Sequence, residues 1–227
     1  MKTRFFSLLS MLLLTGTIAI AQSSGKMSIG VLGGVNFQNL NGKDASGDKL
    51  TNDMIVGFHA GVNVQIPIAP QFYFQPGLMF STKGAKNTYS FLGTTYTSTT
   101  KLSYVEMPLN LVYKGALGNG FILVGFGPYV GYGIGGNVKI EGGSVTVEND
   151  VEFKNTVETG DGLLIPYFKA LDVGGNIFAG YEMSNGLFFQ LNTQLGMVKI
   201  NPEDKRISDD KSSVKNTGYG LSLGYRF

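Results

Sequence analysis

Gly218-Tyr219-Gly220-Leu221-Ser222-Leu223-Gly224-Tyr225-Arg226-Phe227 closes the sequence, and its reading decides the fold. Tyr219, Leu221, Leu223, Tyr225 and Phe227 fall on one side of a two-residue repeat, and Gly218, Gly220, Ser222, Gly224 and Arg226 fall on the other. Successive side chains of a strand point to opposite faces, so this is a strand with one greasy face and one small or polar face. Working outward, the same period recurs. Val56, Phe58, Ala60, Val62, Val64 and Ile66 oppose His59, Gly61, Asn63 and Gln65. Leu187, Phe189, Leu191 and Leu195 oppose Phe188, Gln190, Asn192 and Gln194.

Eight such segments are expected, near 28–37, 56–67, 72–84, 101–114, 121–136, 168–182, 187–198 and 216–227. Most exceed the roughly 5–6 residues usual for soluble strands and suit the roughly 9–11 residues of a tilted strand crossing a bilayer. Short connections (68–71, 115–120, 183–186) alternate with long ones (38–55, 85–100, 137–167, 199–215). That is the pattern of outer-membrane barrels, with short periplasmic turns and long outer loops. Lipid offers no hydrogen-bond partners, so spanning strands must close into a ring with no edge. The expected fold is therefore all-β: an eight-stranded antiparallel up-and-down transmembrane β-barrel. A soluble barrel or sandwich would carry the opposite polarity, and alternation by itself does not separate the two.

Aromatic placement favours the membrane. Tyr73, Tyr113, Phe121, Tyr181, Phe188, Tyr225 and Phe227 lie near the short turns. Phe37, Phe58, Phe80, Tyr104, Tyr132 and Phe168 lie toward the long loops, and these two groups suit two interfacial girdles. In the fifth segment Ile122, Val124, Phe126, Val130, Tyr132 and Ile134 are assigned to lipid. Pro76, Pro108 and Pro128 each remove a ladder donor and are expected at bulges or kinks.

Composition narrows the function classes. Charged residues make up only 15%, against about a quarter in soluble domains, and mean hydropathy is +0.08. Gly numbers 33 without any collagen period. The absence of Cys excludes disulfide scaffolds, thiolate metal sites and a lipidated Cys. Lys2 and Arg4, the apolar run from Phe5 to Ile20 and Ala19-Ile20-Ala21 read as a signal peptide over 1–21, cleaved before Gln22, with the barrel domain over 22–227. Without Lys2 and Arg4, Lys+Arg falls from 18 to parity with 16 Asp+Glu, so no basic patch argues for nucleic acid.

Gln75-Pro76-Gly77-Leu78-Met79-Phe80-Ser81-Thr82-Lys83-Gly84-Ala85-Lys86 and Tyr104-Val105-Glu106-Met107-Pro108-Leu109-Asn110-Leu111-Val112-Tyr113-Lys114 resemble the porin-like outer-membrane β-barrel family of Bacteroidetes, which includes the PorT-type proteins. Gly127-Pro128-Tyr129-Val130-Gly131, Asp172-Val173-Gly174 and Leu223-Gly224-Tyr225-Arg226-Phe227 fit it too. The resemblance implies a small barrel in the outer membrane, exported through the periplasm. It implies that Phe227 is the final aromatic read by the insertion machinery. It carries over no catalytic residues, and some members serve protein secretion.

Candidate chemistry is sparse. Gly220-Leu221-Ser222-Leu223-Gly224 matches a nucleophile pattern that normally needs a strand–turn–helix context and a later His. The one His, His59, comes far earlier, so Ser222 reads as a small lumen residue and His59 as a polar lumen residue. Gly131-Tyr132-Gly133-Ile134-Gly135-Gly136 lacks the Lys-Ser/Thr of a phosphate loop and reads as space for bulky neighbours. Lys83, Glu106, Asp172, Glu182 and Arg226 face inward with His59, and in a dry lumen they should pair with one another. A polar, side-chain-filled lumen is the main reading, and a narrow ion path is the rival. Residues 138–147 alternate about Gly142-Gly143, a hairpin signal offering an edge to partner strands. Loops 85–100 and 199–215 are further surface candidates. The expectation is a non-enzymatic, monomeric outer-membrane protein with membrane lipids as partners, no cofactor or metal, and a structural or surface-interaction role. The rivals are a small channel, an accessory of protein secretion and an embedded lipid hydrolase based on His59.

Overall fold

A computed structural model describes residues 26–227, so the segment read as a signal peptide lies outside the described residues. Thirteen strands follow in order: β1 Ser28–Lys43, β2 Ile55–Ala69, β3 Phe72–Phe91, β4 Thr94–Leu117, β5 Gly120–Gly142, β6 Val145–Asp150, β7 Glu152–Phe153, β8 Thr156–Val157, β9 Tyr167–Phe168, β10 Leu171–Met183, β11 Leu187–Gly196, β12 Glu203–Asp204 and β13 Ser213–Arg226. Eight of them close a ring. β1 to β5 pair in succession, β5 pairs β10, β10 pairs β11, β11 pairs β13, and β13 returns to β1. Every pairing in the ring is antiparallel. Closure leaves no strand edge within the wall, which lipid requires.

The polarity is inverted, as period two demands. Val56, Phe58, Val62, Leu191, Leu221 and Leu223 are exposed, whereas His59, Asn63, Gln65, Gln190, Ser222 and Arg226 are buried inside. Ile122, Val124, Phe126, Val130, Tyr132 and Ile134 all face outward. The turns on the periplasmic side are tight, spanning only 70–71, 118–119 and 184–186. Gln71, Gly118 and Gly186 supply the positive φ that such turns need.

Several expectations are corrected. The segment 85–100 is not a loop. β3 and β4 run on through its Thr, Ser and Tyr residues to a two-residue turn at Leu92 and Gly93, both at positive φ. β-formers with continued alternation extend the ladder to that turn, and Tyr89 stacks on Tyr96 across it at 5.7 Å. The hairpin expected at 138–147 forms, with β6 pairing the outer end of β5 from Gly142↔Val145 to Asn137↔Asp150. Phe168 lies on the short strand β9, not on a barrel strand.

The girdles also change. Tyr104 and Phe188 are wholly buried in the lumen. Phe121 and Tyr73 turn inward over Lys114. On the periplasmic side the outward ring is built from pairs: Phe72 with Tyr113, Tyr181 with Phe189, and Tyr225 with Phe227.

Pro76, Pro108 and Pro128 mark no register shift. The two bulges lie between Pro67 and Ala69 and between Ser103 and Tyr104. Instead, each of the three prolines falls in a two-residue gap in the ladder to the preceding strand. The gaps are Val64–Gln65 against Gln75–Pro76, Gly77–Leu78 against Met107–Pro108, and Leu109–Asn110 against Gly127–Pro128. A residue without an N–H leaves the ladder unmade locally, and the strands on both sides hold their register.

Candidate functional site

Among the described residues the lumen gathers most of the buried charged and polar side chains, and it divides into layers. Its polar groups are not alone. Tyr129, Phe178 and Phe188 each lie directly opposite a glycine of the neighbouring strand: Gly174, Gly125 and Gly224. A Cβ at any of these glycines would strike the facing ring, so the glycines make room for aromatic packing in a narrow barrel. An eight-stranded barrel is just wide enough for side chains to fill it. Aromatic rings thus pack among the buried polar side chains of the lumen.

At the outer mouth Leu40, Ala85, Leu102, Tyr104 and Ile200 form a buried apolar cluster, joined by Val151, Phe168 and Val214. Ile200 comes from the segment between β11 and β12, so a folded outer loop reaches down to close the opening. The long loops are tied above it. Lys154 pairs with Asp161 at 2.6 Å, Lys205 with Glu158 at 2.8 Å, and Arg206 with Asp204 at 2.7 Å. The hydrogen bond from Lys154 holds the Asp161 carboxyl below its usual range, and that from Arg206 does the same for Asp204.

Beneath that closure lies the first charged layer. Lys83 Nζ sits 2.6 Å from Glu106 Oε1 and 2.9 Å from Asp172 Oδ2, with all three side chains buried. Asn216 donates to Asp172 at 2.9 Å, Gln194 donates to Glu106 at 3.0 Å, and the Lys83 ammonium lies 4.4 Å from the centre of the Tyr129 ring. At the periplasmic end Glu182 accepts from Arg226 Nε at 2.9 Å and from Lys114 Nζ at 2.6 Å, while Arg226 Nη1 donates to Asn63 at 3.0 Å. Glu106, Asp172 and Lys83 thus meet in one layer, and Glu182 and Arg226 meet in another. Lys114 completes the second layer, and sequence reasoning passed over it although it shares the inward parity of Glu106.

Between these layers His59 joins neither charged group. Its Nδ1 lies 2.7 Å from Asn36 Oδ1 and its Nε2 lies 2.7 Å from Ser222 Oγ. The two residues read separately in the sequence are therefore in direct contact, and distance along the chain was no obstacle. Gly34 explains the reach. It pairs with Ser222 on one side and with His59 on the other, so the imidazole lies across β1 over a position with no side chain. A Cβ there would come within 2.8 Å of His59 Cε1. The surrounding chamber, about 80 Å3, is also lined by Gln190, Asn192 and Asn176.

Among the described residues no group of three or more His, Asp and Glu side chains is placed to hold a metal ion. A ring of eight antiparallel strands with an inverted face has a counterpart in known families. A profile described as the outer membrane protein beta-barrel domain matches residues 20–201. The chain belongs to this family. As a member of it, the protein resides in the outer membrane, its barrel surrounded by membrane lipid and its long loops outside.

Similar solved structures include Ail, the attachment invasion locus protein of Yersinia pestis, at 10% identity and TM-score 0.38, covering 89% of this chain and 100% of that one. Neisserial surface protein A matches at 10% identity and TM-score 0.41, over 88% and 95%. OprG from Pseudomonas aeruginosa matches at 11% identity and TM-score 0.37, over 88% and 95%. No curated protein matches the chain.

Proposed function

We propose that the protein is a closed surface barrel. In this reading residues 1–21 direct export and are removed, the mature barrel is of the Bacteroidetes porin-like, PorT-like type, and its outer hairpins and loop cap meet a partner at the cell surface. The lumen serves as internal bracing and not as a conduit. The observation that carries the reading is the closure of the outer mouth: the apolar layer of Leu40, Leu102, Tyr104 and Ile200 lies above the buried Lys83–Asp172–Glu106 group. An ion crossing it would shed its hydration against apolar side chains, at several kcal/mol. The β3–β4 and β5–β6 hairpins support the display role, since both rise beyond the length that a bilayer needs.

Single-channel recording of the folded barrel in planar bilayers tests the closure, with no steady conductance expected; a steady open pore overturns it. Deleting residues 88–97, or 139–148, with a short turn rejoining the strands, should leave a heat-modifiable barrel that no longer binds its surface partner. Binding that survives both deletions removes the display role. Co-purification with secretion machinery would instead assign the barrel to that apparatus.

A further inference from the structure

Ser222, His59 and Asn36 stand in the order nucleophile, base, orienting group, and their polarity is fixed by their neighbours. Asn36 Nδ2 donates to Ser81 Oγ at 3.2 Å and to the Thr82 carbonyl at 3.5 Å. A carbonyl only accepts, so the amide nitrogen faces it and Oδ1 faces His59. The proton of neutral His59 therefore sits on Nδ1, and Nε2 is left to accept from the Ser222 hydroxyl. This is the arrangement by which a histidine draws the proton from a serine, recognised by geometry and roles irrespective of fold or chain order.

The chamber holds what such a serine would use. Gln190 is the direct cross-strand partner of Ser222, and its Nε2 is buried with no hydrogen-bond partner. Asn192 Nδ2 lies 3.1 Å from Ser222 Oγ. Ser222 sits on a regular strand whose backbone N–H groups belong to the ladder, so side-chain amides replace the backbone donors of a strand–turn–helix site.

We propose that Ser222 is an activated nucleophile that accepts a short acyl group from a small ester entering on the periplasmic side. Ser222 Oγ attacks the ester carbonyl as its proton passes to His59 Nε2. Gln190 and Asn192 donate to the oxyanion. The bond to the leaving alkoxide breaks as His59 returns the proton to it. Water then adds to the acyl-serine, giving a proton to His59, and the Ser222 Oγ–acyl bond breaks as that proton returns to Oγ, releasing the carboxylic acid.

Size and access set the substrate class. About 80 Å3 is the space of a few waters, enough for a two-carbon acyl group and too small for a fatty chain. The outer mouth is closed by the apolar layer. On the other side a vestibule of about 350 Å3 includes Gln65 and Arg226 in its lining. It is parted from the chamber by the Gln65–Gln75 contact at 2.8 Å and the Arg226–Asn63 contact.

Refolded wild-type barrel in detergent, treated with p-nitrophenyl acetate, should release a burst of nitrophenolate approaching one per chain and carry acetyl on Ser222 by peptide mass mapping. The Gln65→Ala/Gln75→Ala variant, with the inner partition opened, should acetylate several-fold faster. Ser222→Ala should not acetylate there, and His59→Gln, which keeps a polar side chain in the chamber, should slow the step by about 10²-fold or more. Heat-modifiable migration establishes that each variant is folded. No acetyl on Ser222 in either the wild type or the opened variant overturns the proposal. So does a folded His59→Gln variant that acetylates at the wild-type rate.

Discussion

Lys83 Nζ lies 2.9 Å from Asp172 Oδ2, a contact between residues 89 apart in the chain and fully enclosed by the barrel. With Glu106 on its other side, the ammonium stands between two carboxylates. Replacing it leaves both facing each other without a counter-charge. Lys83→Met should cost about 3–5 kcal/mol, read as an earlier midpoint in urea unfolding followed by heat-modifiable migration. Lys83→Met combined with Glu106→Gln and Asp172→Asn should recover much of that loss.

Gly34 is the floor beneath the His59 ring. Gly34→Val would crowd both the imidazole and the backbone of β13, at about 1–3 kcal/mol for an overpacked site. Gly33, which faces the other way with its nearest neighbour atom 3.5 Å from an added Cβ, is the control. Gly33→Val should leave the urea midpoint nearly unchanged.

Leu221 faces lipid from the last strand, paired with Val35 and Leu191. Leu221→Arg should destabilise the barrel by about 2–4 kcal/mol if the position lies near the bilayer midplane. Leu163, exposed on an outer loop, should accept Arg at almost no cost. Equilibrium folding into lipid vesicles measures both.

The loop ion pairs give the outer cap a defined pH response. The folded-state values of Asp161 and Asp204 are lowered by Lys154 and Arg206. Their contribution to cap order is therefore fully present above the ordinary carboxylate value of about 3.9 and is lost as pH falls through the lower folded values. Hydrogen exchange over 151–170 and 199–212 should show unchanged protection, once corrected for intrinsic rates, from neutral pH down to the ordinary carboxylate value, with loss only as pH falls below it.

The barrel was legible because a period of two assigns nearly every wall residue to lipid or lumen, and alternating connection lengths orient it. The errors have specific physical causes. Phe188 and Tyr104 were placed by nearness to strand ends, although parity sets Phe188 with Gln190 and Tyr104 with Glu106 on the inner face. The 85–100 hairpin was hidden by the assumption that strands stop at the membrane surface. Contact between His59 and Ser222 was invisible because it spans an intervening strand, 163 residues apart, and depends on the missing side chain of Gly34. Strand register across the closing seam of the ring is what brings them together, and no local pattern encodes it.

The three proline gaps adjoin one another, since residues 75–78 of β3 and 107–110 of β4 each lack ladder partners first on one side and then on the other. They form a continuous oblique line of compliance across four staves of an otherwise stiff cylinder. When bilayer thickness or lateral pressure changes, elastic deformation will concentrate along that line, flattening the cross-section there while the opposite wall keeps its curvature.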